Sequence, residues 1–242
     1  QQFAEKVKTG IVCGSGVGNL LHVPAKIVEE PFELRMQNGV STFLYKDHVF
    51  EVPLIGKHNA ENAFAAVVLC DQLGCDLGAV KSALHAFKGI SRRLERVGEL
   101  GGVTVIDDYA HNPAKIRATW QAVAGQYQRV LGIWRPHGFG PLNLMMEELV
   151  STFREVCRPD DRVFLLPVYY AGGTASKSVS SNDLIQKLRQ NNVIAEVAET
   201  YDELKARLLA EAGPGDAVVF MGARDPEMPV FARAISGCFQ RA

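Results

Sequence analysis

From residue 89 onward the sequence alternates short strand-like runs with longer stretches of helical periodicity, and no other feature limits the possible fold as strongly. The strand-like runs fall at 103–106, 130–134, 163–166, 193–197 and 217–221. Helical patterns occupy 114–126, 144–156, 182–189 and 201–210, with a last one near 229–239. Strands and helices that alternate through short turns build right-handed βαβ units and a mostly parallel sheet.

The expectation is therefore an α/β chain with a compact Rossmann-like domain over residues 88–242. Before it, 32–36, 41–45 and 49–54 read as three β-runs. Asn38-Gly39 marks a tight turn between the first two, since both residues tolerate positive φ. An antiparallel meander follows from this. A helix should open at Gly56 and stop at Gly74. Asp76 should cap a second helix, and the apolar faces of both should pack on a sheet. The first residues, Gln1 to Val7, read as the end of a helix that begins elsewhere, which makes the chain part of a longer polypeptide.

Composition excludes several classes. The chain has 242 residues, 47% hydrophobic and 22% charged, with a formal net charge of −1. Nothing there favours a nucleic-acid partner or a membrane surface. No apolar run approaches the length needed to span a bilayer, and no signal peptide is visible. Five cysteines without a C-x-x-C pair fit a reducing cytoplasm, with no structural disulfide and no zinc. Gly14-Ser15-Gly16-Val17-Gly18 follows a short strand at 11–13, but it has neither the Gly-Lys-Ser/Thr ending of a P-loop nor a dinucleotide fingerprint, and it reads as a plain loop.

Four clusters carry candidate chemistry. Asp107-Asp108-Tyr109-Ala110-His111-Asn112-Pro113 lies between the strand at 103–106 and a helix whose first turn holds the proline. In α/β sheets ligands bind at such strand ends, and a carboxylate there can take ribose hydroxyls; either acid could equally cap the helix. Trp134-Arg135-Pro136-His137-Gly138 ends the next strand and should share that edge, so that Arg135 and His137 face the same cleft as Asp108. Tyr169-Tyr170 and Gly222-Ala223-Arg224-Asp225 join the same rim. His58, Asn59 and Asn62 open a helix, where they are either purine-edge ligands or ordinary caps. Arg92-Arg93 is either a phosphate clamp or a solvated pair.

Taken in order, Gly56-x-His58-Asn59-x-x-Asn62-Ala63, Phe87-x-Gly89-x-x-Arg92-Arg93-x-Glu95 and Asp107-Asp108-Tyr109-Ala110-His111-Asn112-Pro113 resemble the Mur ligases, the ATP-dependent enzymes that build the peptide of bacterial peptidoglycan. Pro136-His137, Val168 to Gly172 and Met221-Gly222-Ala223 are most similar to the members that add L-alanine to UDP-N-acetylmuramate. The resemblance implies that residues 1–87 are the later part of a central α/β ATPase domain and 88–242 the C-terminal domain. It implies ATP and Mg2+ as cofactors, with UDP-N-acetylmuramate and a small amino acid as substrates. A carboxylate would be phosphorylated and the acyl phosphate attacked by the amine. By matching position, Asn59 and Asn62 would contact adenine, with His58 beside them. Arg93 would reach the phosphates and Asp108 the ribose, while His111 and His137 would line the amino-acid side.

The chain contains no G-x-x-x-x-G-K-[ST], and the carbamylated lysine of the family lies outside it, so the missing N-terminal portion is expected as a partner and the chain alone should be inactive. Asn112 stands where alanine-adding members usually have a second histidine, and Gly138 where they usually have arginine. A recycling ligase that attaches a tripeptide and a non-catalytic nucleotide-binding module are the alternatives. A nicotinamide oxidoreductase would rest on the glycine-rich turn alone.

Overall fold

The computed structural model describes residues 5–9, 28–37, 40–54, 56–170, 172 and 178–239. The glycine-rich turn at 14–18, the run before it and the Asn38-Gly39 turn lie outside them. The chain divides into two compact units, Gln1–Lys88 and Gly89–Ala242.

In the first unit, β1 (Glu5–Thr9) pairs antiparallel with β2 (Val28–Phe32). Residues 5–7 are thus strand, and the expectation of a helix end there is corrected. Glu5-Lys6-Val7-Lys8-Thr9 is too short a piece of sequence for its periodicity to decide. The antiparallel meander expected next is present as β3 (Leu34–Gln37), β4 (Val40–Tyr45) and β5 (His48–Val52). Its turn at Lys46-Asp47 has positive φ at both residues. Helix α1 (Lys57–Gln72) follows, and α2 (Leu77–Ala86) is capped by Asp76, whose carboxylate accepts from the Ala79 amide at 2.7 Å. Gly74 between them has φ +79°, the left-handed conformation of a helix stop. Phe43, Tyr45, Phe50 and Val52 of the meander bury against Ala60, Ala63, Phe64, Val67 and Val68 of α1.

The second unit is a six-stranded sheet with helices between its strands. Its elements are β6 (Glu95–Leu100), β7 (Val103–Asp108), α3 (Pro113–Ala124), β8 (Arg129–Trp134), α4 (Phe139–Val156), β9 (Arg162–Leu165), α5 (Ser181–Gln190), β10 (Ala195–Val197), α6 (Tyr201–Glu211), β11 (Asp216–Met221) and α7 (Glu227–Ser236). The strand order is β10-β9-β8-β11-β7-β6, parallel except for the β6–β7 hairpin. All five expected strands are present. Edge strand β6 was not anticipated, because its alternate side chains are half-exposed and leave no apolar run. Helix α4 starts five residues earlier than its periodicity indicated, since Gly140-Pro141 resembles a loop although proline is tolerated in a first helical turn.

β11 is fully buried along its length, consistent with a central strand covered on both faces. One core cluster joins Val105, Leu131, Ile133, Phe164, Val218 and Phe220 from the strands with Leu204, Leu208, Met228 and Ala232 from the helices. Asp161 ties the other face together: its buried carboxylate accepts from Trp120 Nε1 at 3.1 Å, Val130 N at 2.8 Å and Arg158 N at 3.0 Å.

Candidate active site

The carboxyl ends of β7, β11 and β8 form one rim in the second unit. The connection from β7 to β8 crosses over the place that β11 fills, which makes this the switch point of the sheet, the usual ligand crevice of open α/β folds. Asn112 caps α3 by accepting from Lys115 N at 3.0 Å, and Pro113 takes the first helical position, so the polar stretch before the helix is held at the rim.

Asp107 and Asp108 point to different environments. Asp108 accepts from the amides of Leu94 (2.8 Å) and Ala110 (2.8 Å) and from the Thr119 hydroxyl (3.0 Å). An ionised carboxylate has about four acceptor positions, so one is left toward solvent. Asp107 is fully buried and neither of its oxygens has a hydrogen bond. Burial pushes its carboxyl up to about 6, against the pull of Arg92, whose Nε lies 3.4 Å away.

The two adjacent arginines diverge in the same way. Arg92, at φ +59°, turns inward: its guanidinium donates to the carbonyls of Gly222 and Ala223 beyond β11 and lies 5.1 Å from the centre of the Tyr109 ring. Arg93 is exposed, and among the described residues its guanidinium has no hydrogen bond or ion pair.

His111 and His137 come together with ring centroids 5.3 Å apart, and Tyr109 packs edge-on to His111 at 5.3 Å. His111 Nδ1 lies 2.9 Å from the Tyr109 carbonyl, which can only accept, so Nδ1 is the donor of that bond and Nε2 is the acceptor of the neutral ring. His137 bridges to Tyr169, and its Nδ1 has no partner although enclosed. Burial, the neighbouring His111 and the Arg224 charge all hold its basicity below that of an ordinary histidine. Gly138 has φ +87°, and a Cβ there would stand 3.2 Å from Pro141 Cδ, so an arginine at this position would require a different loop.

Arg135, expected to face the cleft, is instead held within the protein. It donates to the Pro167 carbonyl at 3.0 Å and to Asp225 at 2.5 Å, with its guanidinium 5.4 Å from the centre of the Tyr169 ring and 5.8 Å from that of Tyr201. Tyr201 donates to the same Asp225 oxygen. Tyr201, the first residue of α6, stands far along the chain from Arg135, and no local motif marks it as a partner. In the first unit, Asn59 and Asn62 lie three apart in the opening turns of α1, Asn59 half-buried and Asn62 exposed; His58 lies in the same turn. Three apart on a helix is one face.

The family model "Mur ligase, glutamate ligase domain" matches residues 92–224, more than half of the 242-residue chain. The chain belongs to the Mur ligase family. A curated UDP-N-acetylmuramate–L-alanine ligase of Synechococcus sp. is 37% identical over 179 residues, covering 74% of this chain and 37% of that protein. One from Cereibacter sphaeroides is 36% identical over 204 residues, covering 78% and 42%. The chain thus spans about two fifths of the length of these Mur ligases. A UDP-N-acetylmuramate–alanine ligase structure from Thermotoga maritima overlays with a TM-score of 0.64 at 23% identity, covering 87% of this chain and 46% of the other. A MurF structure from Acinetobacter baumannii gives 0.64 at 19%, covering 85% and 44%. At such identities the structures establish the shared Mur ligase fold.

Proposed function

We propose that the chain is the later part of an ATP-dependent ligase that joins L-alanine, or an amino acid of similar size, to UDP-N-acetylmuramate in the cytoplasm, a step of peptidoglycan synthesis. The observation that carries the reading is the 31–37% identity to curated enzymes of that name over 70–78% of the chain. Residues 1–87 would be the later part of the central ATPase domain and 88–242 the C-terminal domain. An N-terminal portion of the same polypeptide would supply the P-loop and the lysine.

The residues present suit the nucleotide. Two amides on one helical face can read a purine edge; Asp108 keeps one acceptor position for a ribose hydroxyl; Arg93 offers an uncommitted guanidinium to phosphate. Among the described residues no group of three His, Cys, Asp or Glu could hold a metal. In this reading the N-terminal portion would supply the residues that hold Mg2+. ATP would supply activation of the muramoyl carboxylate as an acyl phosphate.

The chain's own contribution is then to orient the amine and receive its proton. An amine must lose a proton to form an amide, and a neutral imidazole near neutral pH is suited to take it. His137, held neutral by its surroundings, and the free Nε2 of His111 would fill that role. No helix among the described residues is long and apolar enough to cross a membrane, and the reading requires none.

The test is phosphate release by the full-length polypeptide with ATP and UDP-N-acetylmuramate, offered L-alanine, glycine, L-serine or a tripeptide in turn. Turnover with L-alanine above the others supports the reading. Preference for the tripeptide would assign a recycling ligase. ATP binding without turnover on any amine would leave a nucleotide-binding module.

A further inference from the structure

The inference here rests on the ligase reading and names the residue that selects the nucleophile. Strands β7, β11 and β8 are in register, with Asp108, Met221 and Trp134 aligned across the three. Three residues beyond each aligned position stand His111, Arg224 and His137. The same short step past three neighbouring strand ends therefore gathers two imidazoles and a guanidinium on one stretch of rim. The two ring centroids are 5.3 Å apart, and the Arg224 charge, after burial and His111, helps hold His137 below its ordinary basicity.

Two neighbouring arginines are committed, and the uncommitted Arg93 is the one assigned above to phosphate. Arg92 is held by Asp107 and by the carbonyls of Gly222 and Ala223. Arg135 is held by Asp225 and the Pro167 carbonyl. Gly138, which follows His137, has no side chain, and its φ of +87° disfavours one. Arg224 is exposed and, among the described residues, makes no hydrogen bond or ion pair. Both of its neighbours are nevertheless held, Ala223 at its carbonyl by Arg92 and Asp225 at its carboxylate by Arg135.

A free guanidinium on an anchored loop is a planar fork for a carboxylate. An amino acid that reacts through its amine carries a carboxylate one carbon away. The imidazoles beside the guanidinium add no competing charge while neutral, and one enclosed ring nitrogen, His137 Nδ1, lacks a partner. We propose that Arg224 binds the α-carboxylate of the incoming amino acid and thereby sets its amine against the His111–His137 pair. The cation that selects an amino acid over a simple amine thus comes from the loop after the last strand.

The experiment compares wild type, Arg224→Gln and Arg224→Lys in the full-length enzyme, with L-alanine and with L-alaninamide, which lacks the carboxylate. Arg224→Gln should raise the KM for L-alanine about 10- to 100-fold, the worth of one charge-assisted contact. The KM values for ATP and UDP-N-acetylmuramate should stay within about twofold. Its kcat/KM for L-alaninamide should match wild type, so that discrimination between the two amines collapses. Arg224→Lys, which keeps charge without the fork, should fall between. An unchanged KM for L-alanine in Arg224→Gln would overturn the proposal while leaving the ligase reading intact. A parallel loss on L-alaninamide, or of ATP affinity, would also overturn it, since a general structural fault would be the cause. Absence of turnover in wild type with every amine would remove the ligase reading itself, and this proposal with it.

Discussion

Arg135 Nη1 and Asp225 Oδ2 lie 2.5 Å apart and join the loop leaving β8 to the loop leaving β11. Tyr201 at the start of α6 donates to that oxygen, the Glu227 amide donates to the other at 2.9 Å, and Arg135 reaches the chain beyond β9 through Pro167. Four loops at the rim therefore share one buried charge pair.

Replacing Asp225 by Asn should destabilise the chain by about 3 kcal/mol, because Arg135 is left buried without its counter-charge. Burial alone would raise the Asp225 carboxyl, but hydrogen bonds from Tyr201 and Arg135 outweigh it and hold it below the ordinary value. A depressed acid adds stability above its unfolded value, about 4, and loses it as pH falls through the lower folded value. Urea melts should show the difference between wild type and variant full at pH 7 and shrinking progressively below pH 4. A difference independent of pH would refute the charge-pair account.

Asp107 works in the opposite sense. Its folded-state value is raised to about 6 from 3.8, chiefly by burial, so the folded form prefers the proton and stability falls as pH rises through that interval. Asp107→Asn should remove the dependence and gain up to about 2–3 kcal/mol above pH 6.5, at roughly 1.4 kcal/mol per pKa unit. The gain should be absent at pH 3.5. Superimposable pH–stability curves for the two proteins would show that Arg92 fully compensates the buried charge.

Gly132 in β8 carries a packing constraint. A Cβ there would fall 2.1 Å from Trp120 Cζ3, and the tryptophan is fully buried with its Nε1 bonded to Asp161. Gly132→Ala should lower stability by about 1–3 kcal/mol through overpacking. Combining it with Trp120→Leu should cost less than the sum of the two single changes, a non-additivity that a double-mutant cycle measures.

Asp108 combines a structural and a proposed ligand role, and Thr119 separates them. Thr119→Val should lower stability by about 1 kcal/mol, the net worth of one hydrogen bond, with nucleotide affinity unchanged. Asp108→Ala should do more, since it strands the Leu94 and Ala110 amides, and should also weaken ATP in the full-length enzyme. Equal ATP affinity in wild type and Asp108→Ala, in protein that remains folded, would remove Asp108 from the ribose site.

Strand positions and the strand-end polar clusters were legible in the sequence because the run at 103–106 and its four successors are short apolar segments between helical repeats. β6 was not, since its burial comes from pairing with β7 at one edge rather than from an apolar run. The start of α4 was hidden by Gly140-Pro141. His111 and His137 could be placed on one edge from their strand-end positions, but their contact depends on β11 lying between β7 and β8, and strand order leaves no mark on local periodicity. The divergence of Arg92 from Arg93 follows from a positive φ at a non-glycine residue, which the sequence does not display. Asn112 illustrates the limit of residue type: its side chain is engaged as a helix cap, so its amide serves the backbone.

The position of β11 bears on how the chain is made. One of the two central strands, β11, is the last of the six to be translated, and until it emerges β7 and β8 each present an unpaired inner edge. The nascent sheet is in two pieces that only contacts of long sequence separation can close, the slow class of folding event. Those bare edges are the surfaces on which unfinished sheets associate with one another. Truncation before or within Asp216–Met221 would thus remove the strand that joins the two pieces and keep the sheet from closing. Dependence on a holding chaperone during synthesis should be greatest in the interval between the appearance of β8 and that of β11.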